Sequence, residues 1–79
     1  MLTAKAMTLL DYLMCHPGEL HTRDHLLATL WGIDFASSTR AVDHRVREIR
    51  HALGDDASSP TYIETVPSVG YRFCAKVNG

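Results

Sequence analysis

Side chains between residues 38 and 53 fall into two opposed stripes when this segment is wound as a helix. The apolar stripe holds Val42, Val46, Ile49 and Leu53, and the polar stripe holds Arg40, His44, Arg47 and His51. Both stripes advance in steps of four, three and four residues, a spacing that a strand with its period of two cannot produce. The pattern therefore predicts a helix over residues 38–53, with one side facing a core and the other facing an anion. Ser37 or Ser38 can cap its start, and Gly54 can end it.

Two further helices are predicted before this segment. Thr3 can cap a first helix, whose apolar residues recur at helical spacing until Pro17 ends the run. Thr22 can cap a second helix that continues to Gly32. The predicted buried face of the second helix consists of Leu26, Leu27, Leu30 and Trp31.

β-prone residues are concentrated near the end of the sequence. Segments 62–66 and 71–77 are separated by the four residues 67–70, which is the arrangement of a β-hairpin. A short extended piece, residues 19–21, lies between the first two predicted helices. We therefore predict a mainly α fold with a small β-hairpin, in which three helices precede the hairpin.

Length and charge restrict the class of protein. The chain has 79 residues, which is enough for one domain with one small core. Its hydrophobic fraction of 46% excludes the composition of a disordered chain. The net charge of −1 argues against indiscriminate binding to polyanions. Four of the eight Lys and Arg residues nevertheless lie in one eleven-residue window, so any anion binding must come from local clustering: Arg40, Arg45, Arg47 and Arg50.

Other chemistry finds little support in the sequence. Cys15 and Cys74 lack the C-x-x-C spacing of a zinc or redox pair, and we expect two reduced, largely buried thiols in a cytoplasmic protein. The five histidines show no metal-ligand pattern, and no nucleophile set converges on a predicted pocket. No apolar run reaches the roughly 20 residues of a membrane span. We therefore expect no enzyme activity, no cofactor, no metal and no membrane segment within these residues.

Several short motifs, in this order and over almost the whole chain, together point to one family. They are LT at Leu2 and Thr3, LL at Leu9 and Leu10, HPG at His16 to Gly18, R-x-x-LL at Arg23 to Leu27, WG at Trp31 and Gly32, R-x-VD at Arg40 to Asp43, and GYRF at Gly70 to Phe73. With these motifs, the chain resembles the DNA-binding effector domain of OmpR/PhoB-type transcriptional response regulators. The resemblance implies a winged helix-turn-helix domain over residues 1–79, without the N-terminal β-sheet that usually opens the family's domain.

The resemblance also implies a site on duplex DNA. Helix 38–53 would enter the major groove as the recognition helix, and the wing, residues 61–77, would lie near the minor groove. One flank of the helix (Ala41, His44, Arg45, Glu48) would face bases, and the other (Arg40, Arg47, Arg50, His51) would mostly meet phosphates. The implied DNA-binding residues are Arg40, His44, Arg45, Arg47, Glu48, Arg50, His51 and Arg72.

Further partners follow from the same resemblance. Relatives touch RNA polymerase through the loop that here contains Ile33, Asp34 and Phe35. Family members commonly bind tandem half-sites as pairs. Without the N-terminal sheet, some apolar residues of the first helix lose their usual cover and are expected to be exposed or covered by another copy of the chain. Self-association is therefore expected through the first helix or on tandem DNA sites. The residues concerned are Ala6, Leu10, Leu13 and Met14.

Departures from the family pattern leave alternatives open. Pro67 and Ser68 occupy wing positions where relatives commonly have a basic residue and glycine, so Arg72 is the nearest candidate cation for the minor groove. Arg72 is equally a candidate ion-pair partner of Asp43. Glu48 replaces a common Arg; it can accept from cytosine but repels phosphates. The arginines can also pair with acidic neighbours on the same helix, and the alternative function is a winged-helix protein-interaction module with weak or no DNA binding.

Overall fold

The structure, a computed structural model, describes residues 2–32 and 39–75. In chain order the described elements are α1 Ala4–Cys15, β1 Leu20–Thr22, α2 Arg23–Leu26, α3 Thr39–Leu53, β2 Ile63–Val66 and β3 Gly70–Phe73. The predicted fold class, three helices followed by a hairpin, is confirmed. The possible caps Ser37 and Ser38, the loop residues Ile33, Asp34 and Phe35, and residues 76 and 77 of the predicted wing lie outside the described residues.

The predicted caps explain where the helices begin and end. The hydroxyl of Thr3 accepts a hydrogen bond from the backbone N–H of Ala6 at 3.3 Å, at the start of α1. The hydroxyl of Thr22 accepts from the N–H of His25 at 3.1 Å, at the start of α2. Gly54 follows α3 with a φ of 68°, in the left-handed region that glycine enters without steric cost.

The second predicted helix changes its winding partway along. After α2 the chain continues as a π-helical turn over Leu27–Trp31, which Gly32 ends with a φ of 72°. Leu27 is buried, whereas Leu30 and Trp31 are half-buried against the core. The ammonium of Lys5 donates to the carbonyl of Leu30 at 3.0 Å and lies 5.3 Å from the centroid of a Trp31 ring, so a cation satisfies part of this helix end.

The apolar stripe of α3 forms the centre of the core. Val42, Val46 and Ile49 are at most 1% exposed, as the spacing predicts. Leu53 is 37% exposed, because it is the last residue of α3, where the chain turns away at Gly54. The rest of the core comes from all the other elements: Ala6, Leu9, Leu13, Leu26, Leu27, Ile63, Tyr71 and Phe73.

The expectation that some of four apolar residues of the first helix are exposed is confirmed for Met14. Ala6 and Leu13 are fully buried, because this face of α1 packs toward α3 and the sheet. Leu10 is half-buried. Met14 is 44% exposed, and Met7, two turns earlier on the same face of α1, is 59% exposed. Of the four residues, only Met14 and part of Leu10 therefore contribute to the uncovered apolar surface of α1.

The hairpin is part of a three-stranded antiparallel sheet in the order β1-β3-β2. The short extended piece predicted between the first two helices forms β1, in which His21 is paired with Tyr71. A Cβ atom at Gly70 would lie 1.9 Å from the carbonyl oxygen of His21, so only glycine allows β1 and β3 to approach this closely. The sheet thereby joins the segment before α2 to the hairpin.

The prediction that both cysteines are largely buried is wrong. Cys15 and Cys74 are free and exposed. Cys15 is the final residue of α1, and Cys74 follows the buried Phe73 at the end of β3, so each lies just past the part of its element that packs on the core. Among residues 2–32 and 39–75, no helix has the length and apolar character that a membrane crossing needs.

Candidate nucleic-acid interface

The outer face of α3 carries the polar stripe that the sequence predicts. Arg40, His44, Arg47 and His51 are all exposed, on the side opposite the buried valines and Ile49. Within the described parts of the chain, none of these four side chains makes a hydrogen bond or ion pair. This face therefore presents two guanidinium groups and two imidazole groups whose donors are available to a partner.

Arg50, which was expected to meet phosphates, is engaged with the hairpin. Its Nη2 donates to the carbonyl of Ile63 at 2.8 Å and to the hydroxyl of Thr65 at 2.7 Å. The guanidinium carbon lies 5.8 Å from the ring centroid of Tyr71. Arg50 thus joins α3 to β2 and β3.

Arg45 and Glu48, predicted to face bases, interact with each other and with the start of α1. Arg45 Nη1 lies 3.1 Å from Glu48 Oε1, and the same nitrogen donates to the hydroxyl of Thr3 at 3.2 Å. The backbone N–H of Thr3 donates to Glu48 Oε2 at 2.5 Å. This last bond, together with the Thr3 hydroxyl and the charge of Arg45, lowers the pKa of Glu48 and keeps its carboxyl ionised.

Arg72 does not pair with Asp43, so that alternative is wrong. Arg72 Nε donates to Glu64 Oε1 at 2.9 Å, and its Nη2 contacts the same oxygen. The register explains this pairing, because Glu64 of β2 lies directly opposite Arg72 of β3. Successive side chains of a strand alternate between faces, so Arg72 and its buried neighbour Tyr71 point to opposite sides of the sheet.

The partners of Asp43 come from two other elements. Arg23 Nη1, at the start of α2, donates to Asp43 Oδ2 at 2.8 Å, and the hydroxyl of Tyr71 donates to Asp43 Oδ1 at 2.5 Å. The expected helical pairing of Asp43 with Arg47 is therefore absent from the described contacts. The sequence did not lead us to assign Arg23 or Tyr71 to the site. Their motifs, R-x-x-LL and GYRF, could have suggested it together with the R-x-VD motif that contains Asp43.

The wing turn lies beside the starts of α2 and α3. A cleft of about 250 Å³ separates these parts of the chain, and Thr22, Arg23, Asp24, Thr39, Ser68 and Val69 line it. Ser68 has a φ of 64°, which places a non-glycine residue in the left-handed region at the tip of the turn.

Within the described segments, no group of three or more His, Cys, Asp or Glu side chains is placed to hold a metal ion.

A helix pair that precedes a third helix with an exposed cationic face, followed by a hairpin packed on that helix, defines a winged helix-turn-helix protein. The family model described as "Transcriptional regulatory protein, C terminal" matches residues 1–73. The chain belongs to this family, as its resemblance to OmpR/PhoB-type effector domains implies. It is a family of DNA-binding transcriptional regulators and not an enzyme family.

Solved structures agree with this assignment. The DNA-binding domain of Klebsiella pneumoniae RstA, in complex with the RstA box, matches with a TM-score of 0.85 and 34% identity over 94% of this chain and 73% of that one. Thermotoga maritima DrrB, an OmpR/PhoB homologue, matches with a TM-score of 0.81 and 36% identity over 95% of this chain but 34% of that one. The DNA-binding domain of E. coli CadC matches with a TM-score of 0.78 and 32% identity, over 95% and 70% respectively.

Proposed function

We propose that the chain binds duplex DNA sequence-specifically and regulates transcription. The recognition helix is α3, which enters the major groove, and the hairpin of β2 and β3 lies near the minor groove. The observation that carries the proposal is the exposed face of α3, where Arg40, His44, Arg47 and His51 have no described partner in the chain. The similarity to the RstA domain, which was solved in complex with its RstA box, supports the same conclusion.

The contacts divide the predicted DNA-binding residues into two groups. Arg40, Arg47 and His51 are exposed and suit phosphates, whereas His44 suits a base edge. The remaining members already bind within the chain and act on DNA mainly by shaping the surface: Arg45 and Glu48 at the start of α1, Arg50 on β2, and Arg72 on Glu64.

The electrostatics favour binding that depends on a second copy of the chain. The net charge is −1, and Pro67, Ser68 and Val69 at the wing turn carry no cation. One copy therefore makes few charge-assisted phosphate contacts, and two copies on tandem half-sites multiply them. We further propose that residues 33–35 contact RNA polymerase and that the protein acts in the cytoplasm.

A salt titration tests the function directly. A duplex selected by the protein from a random pool is titrated between about 50 and 200 mM salt, and the logarithm of the binding constant should fall linearly with the logarithm of salt. The double variant Arg40→Ala with Arg47→Ala should lose most of this binding. Lys5→Ala removes one charge on α1, where the ammonium contacts the carbonyl of Leu30, and should retain this binding.

A protein-interaction module is the second candidate function. Met7 and Met14 favour it, because both are exposed on α1 at 59% and 44%. Such a module predicts no measurable affinity for any duplex even at about 50 mM salt. The selected duplex and the unselected pool therefore separate the two candidates in a single experiment.

A further inference from the structure

The hydroxyl of Thr3 has all of its hydrogen-bonding capacity in use. It accepts from the N–H of Ala6 at 3.3 Å and from Arg45 Nη1 at 3.2 Å, and it donates to Glu48 Oε1 at 3.2 Å. A hydroxyl has one donor and two acceptor positions, and here each has a partner. The same side chain therefore caps α1 and holds two residues of the recognition helix.

Glu48 completes this arrangement from the other side. Its Oε2 accepts the backbone N–H of Thr3 at 2.5 Å, and its Oε1 lies 3.1 Å from Arg45 Nη1. The guanidinium of Arg45 is thus directed toward the start of α1, with its side chain 32% exposed. Arg40 and Arg47, on the exposed face of the same helix, have no such described restraint.

The restraint changes what Arg45 can do near DNA. An unrestrained arginine on this face binds whichever phosphate is nearest, and such a contact strengthens binding to every sequence equally. A guanidinium held in one position reaches only a partner that the docked helix places there. Holding it in advance also lowers the rotamer entropy lost on binding.

We propose that Glu48 and Thr3 are specificity-determining residues, which clamp Arg45 and withhold it from sequence-independent phosphate contacts. The proposal rests on the proposed function and extends it to residues that position a neighbour. Glu48 then acts as a positioning residue and not as a base reader. This clamp, formed by Thr3 and Glu48, lowers the affinity for duplexes in general. It thereby increases the ratio between the affinity for the selected duplex and the affinity for all others.

The first test replaces Glu48 with Gln, which keeps the size of the side chain and removes its charge. Binding to the unselected pool should strengthen about fivefold at about 100 mM salt, and its salt slope should steepen by about one, because Arg45 gains a phosphate. Binding to the selected duplex should change less, so the ratio of the two affinities should fall. Thermal unfolding should show that the variant remains folded.

Removing a carboxylate also weakens repulsion of phosphates, and an Arg45→Ala background separates this effect from release of the clamp. Without Arg45 there is no guanidinium to release, so Glu48→Gln should no longer steepen the salt slope. An equal steepening in both backgrounds would show simple repulsion and overturn the proposal.

Thr3 supplies a test without any change of charge. Thr3→Val is nearly isosteric but lacks the hydroxyl, and it should also strengthen binding to the unselected pool. Thr3→Ser retains the hydroxyl and should behave as the original protein. Unchanged affinity ratios in both Glu48→Gln and Thr3→Val, with the original protein still preferring its selected duplex, would overturn the clamp alone. An original protein that binds no duplex would overturn the proposed function and the clamp together.

Discussion

The hydroxyl of Tyr71 donates a hydrogen bond of 2.5 Å to Oδ1 of Asp43, which joins the central strand β3 to the recognition helix. The other oxygen of Asp43 accepts from Arg23 at 2.8 Å, so one carboxylate connects α2, α3 and the hairpin. Arg50, two turns further along α3, makes a second connection to the hairpin through the carbonyl of Ile63 and the ring of Tyr71. These contacts hold the hairpin in a fixed position relative to α3.

Replacing Tyr71 with Phe should lower the free energy of unfolding by about 1 kcal/mol, because a hydrogen bond to a partly buried carboxylate is lost. Urea denaturation at pH 7 measures this change. Tyr62→Phe is the matched control, since Tyr62 is also half-buried and its hydroxyl makes no hydrogen bond among the described residues. Equal losses in the two variants would contradict a specific role for the bond to Asp43.

Alkaline unfolding gives a second measurement on the same residue. Burial, with the hydrogen bond to Asp43, raises the pKa of Tyr71 from 10.0 to about 12. The folded state therefore holds this proton more tightly than the unfolded state, and the stabilisation is complete below pH 10 and is lost as the pH rises toward about 12. Tyr71→Phe should remove this part of the alkaline loss of stability, whereas Tyr62→Phe should leave it in place.

Asp55 should stabilise the loop between α3 and the hairpin. Its Oδ1 accepts from the backbone N–H of Thr61 at 2.7 Å and of Asp56 at 3.1 Å, and its Oδ2 accepts from Tyr62 at 3.2 Å and Ile63 at 2.9 Å. An asparagine offers only one acceptor oxygen, so Asp55→Asn should cost about 1 kcal/mol in urea denaturation at pH 7.

Asp56→Asn provides the control, because Asp56 accepts from Ser58 through a single oxygen that asparagine retains. Asp55→Asn should also remove part of the loss of stability in acid. Burial raises the pKa of Asp55, but the N–H groups of Ile63, Thr61 and Tyr62 outweigh it and lower the pKa overall. The stabilisation is therefore present above about pH 3.8 and is lost as the pH falls through the lowered pKa. An Asp55→Asn protein as stable as the original at pH 7 would show that water replaces these bonds.

The periodic and local features of this chain could be predicted from the sequence, whereas its long-range polar contacts could not. The spacing of Val42, Val46 and Ile49 fixes which side of α3 is buried, and Thr3 and Thr22 each cap the residues that follow within one turn. The pairing of Thr3 with Glu48 joins residues 45 positions apart, and no sequence period relates them. Such contacts depend on how α1 lies across α3, which only the packed structure determines.

Acidification should destabilise the fold through His21. This residue is 6% exposed, and its Nε2 has no hydrogen-bond partner among residues 2–32 and 39–75. Burial lowers the pKa of His21 below 6.5, and repulsion from His25 and His16 outweighs attraction to Glu19. The unfolded state then binds the proton first, so stability is full above pH 6.5 and falls as the pH drops from 6.5 toward the folded pKa.

Urea denaturation between about pH 7.5 and about pH 5 measures this loss of stability, because that range brackets the ordinary pKa of histidine. The slope from one proton is at most about 1.4 kcal/mol per pH unit. His21→Phe keeps an aromatic ring beside Tyr12, whose ring centroid lies 5.2 Å away, and it should flatten this part of the curve. His51→Gln, an exposed change on α3, should retain the slope. A curve that is unchanged by His21→Phe would exclude His21 as the source.

Arg47→Ala tests a phosphate contact. Arg47 is exposed and has no described partner, so its loss should leave the fold intact. Binding to every duplex should weaken by a similar factor, and the salt slope should decrease by about one. Fluorescence anisotropy with the selected duplex and the unselected pool measures both the affinity and its salt slope. A loss confined to the selected duplex would contradict the phosphate role.

His44→Ala tests base readout on the same face of α3. His44 is exposed one turn before Arg47, on the flank expected to face base edges, and an imidazole can donate or accept a hydrogen bond there. Selection from random duplexes should show relaxed preference at one base position, at a cost of about 1–3 kcal/mol for the selected duplex. His51→Ala is the control, since a phosphate contact carries no sequence information and should leave every preference in place. If both variants select the same sequence as the original protein, His44 does not read a base.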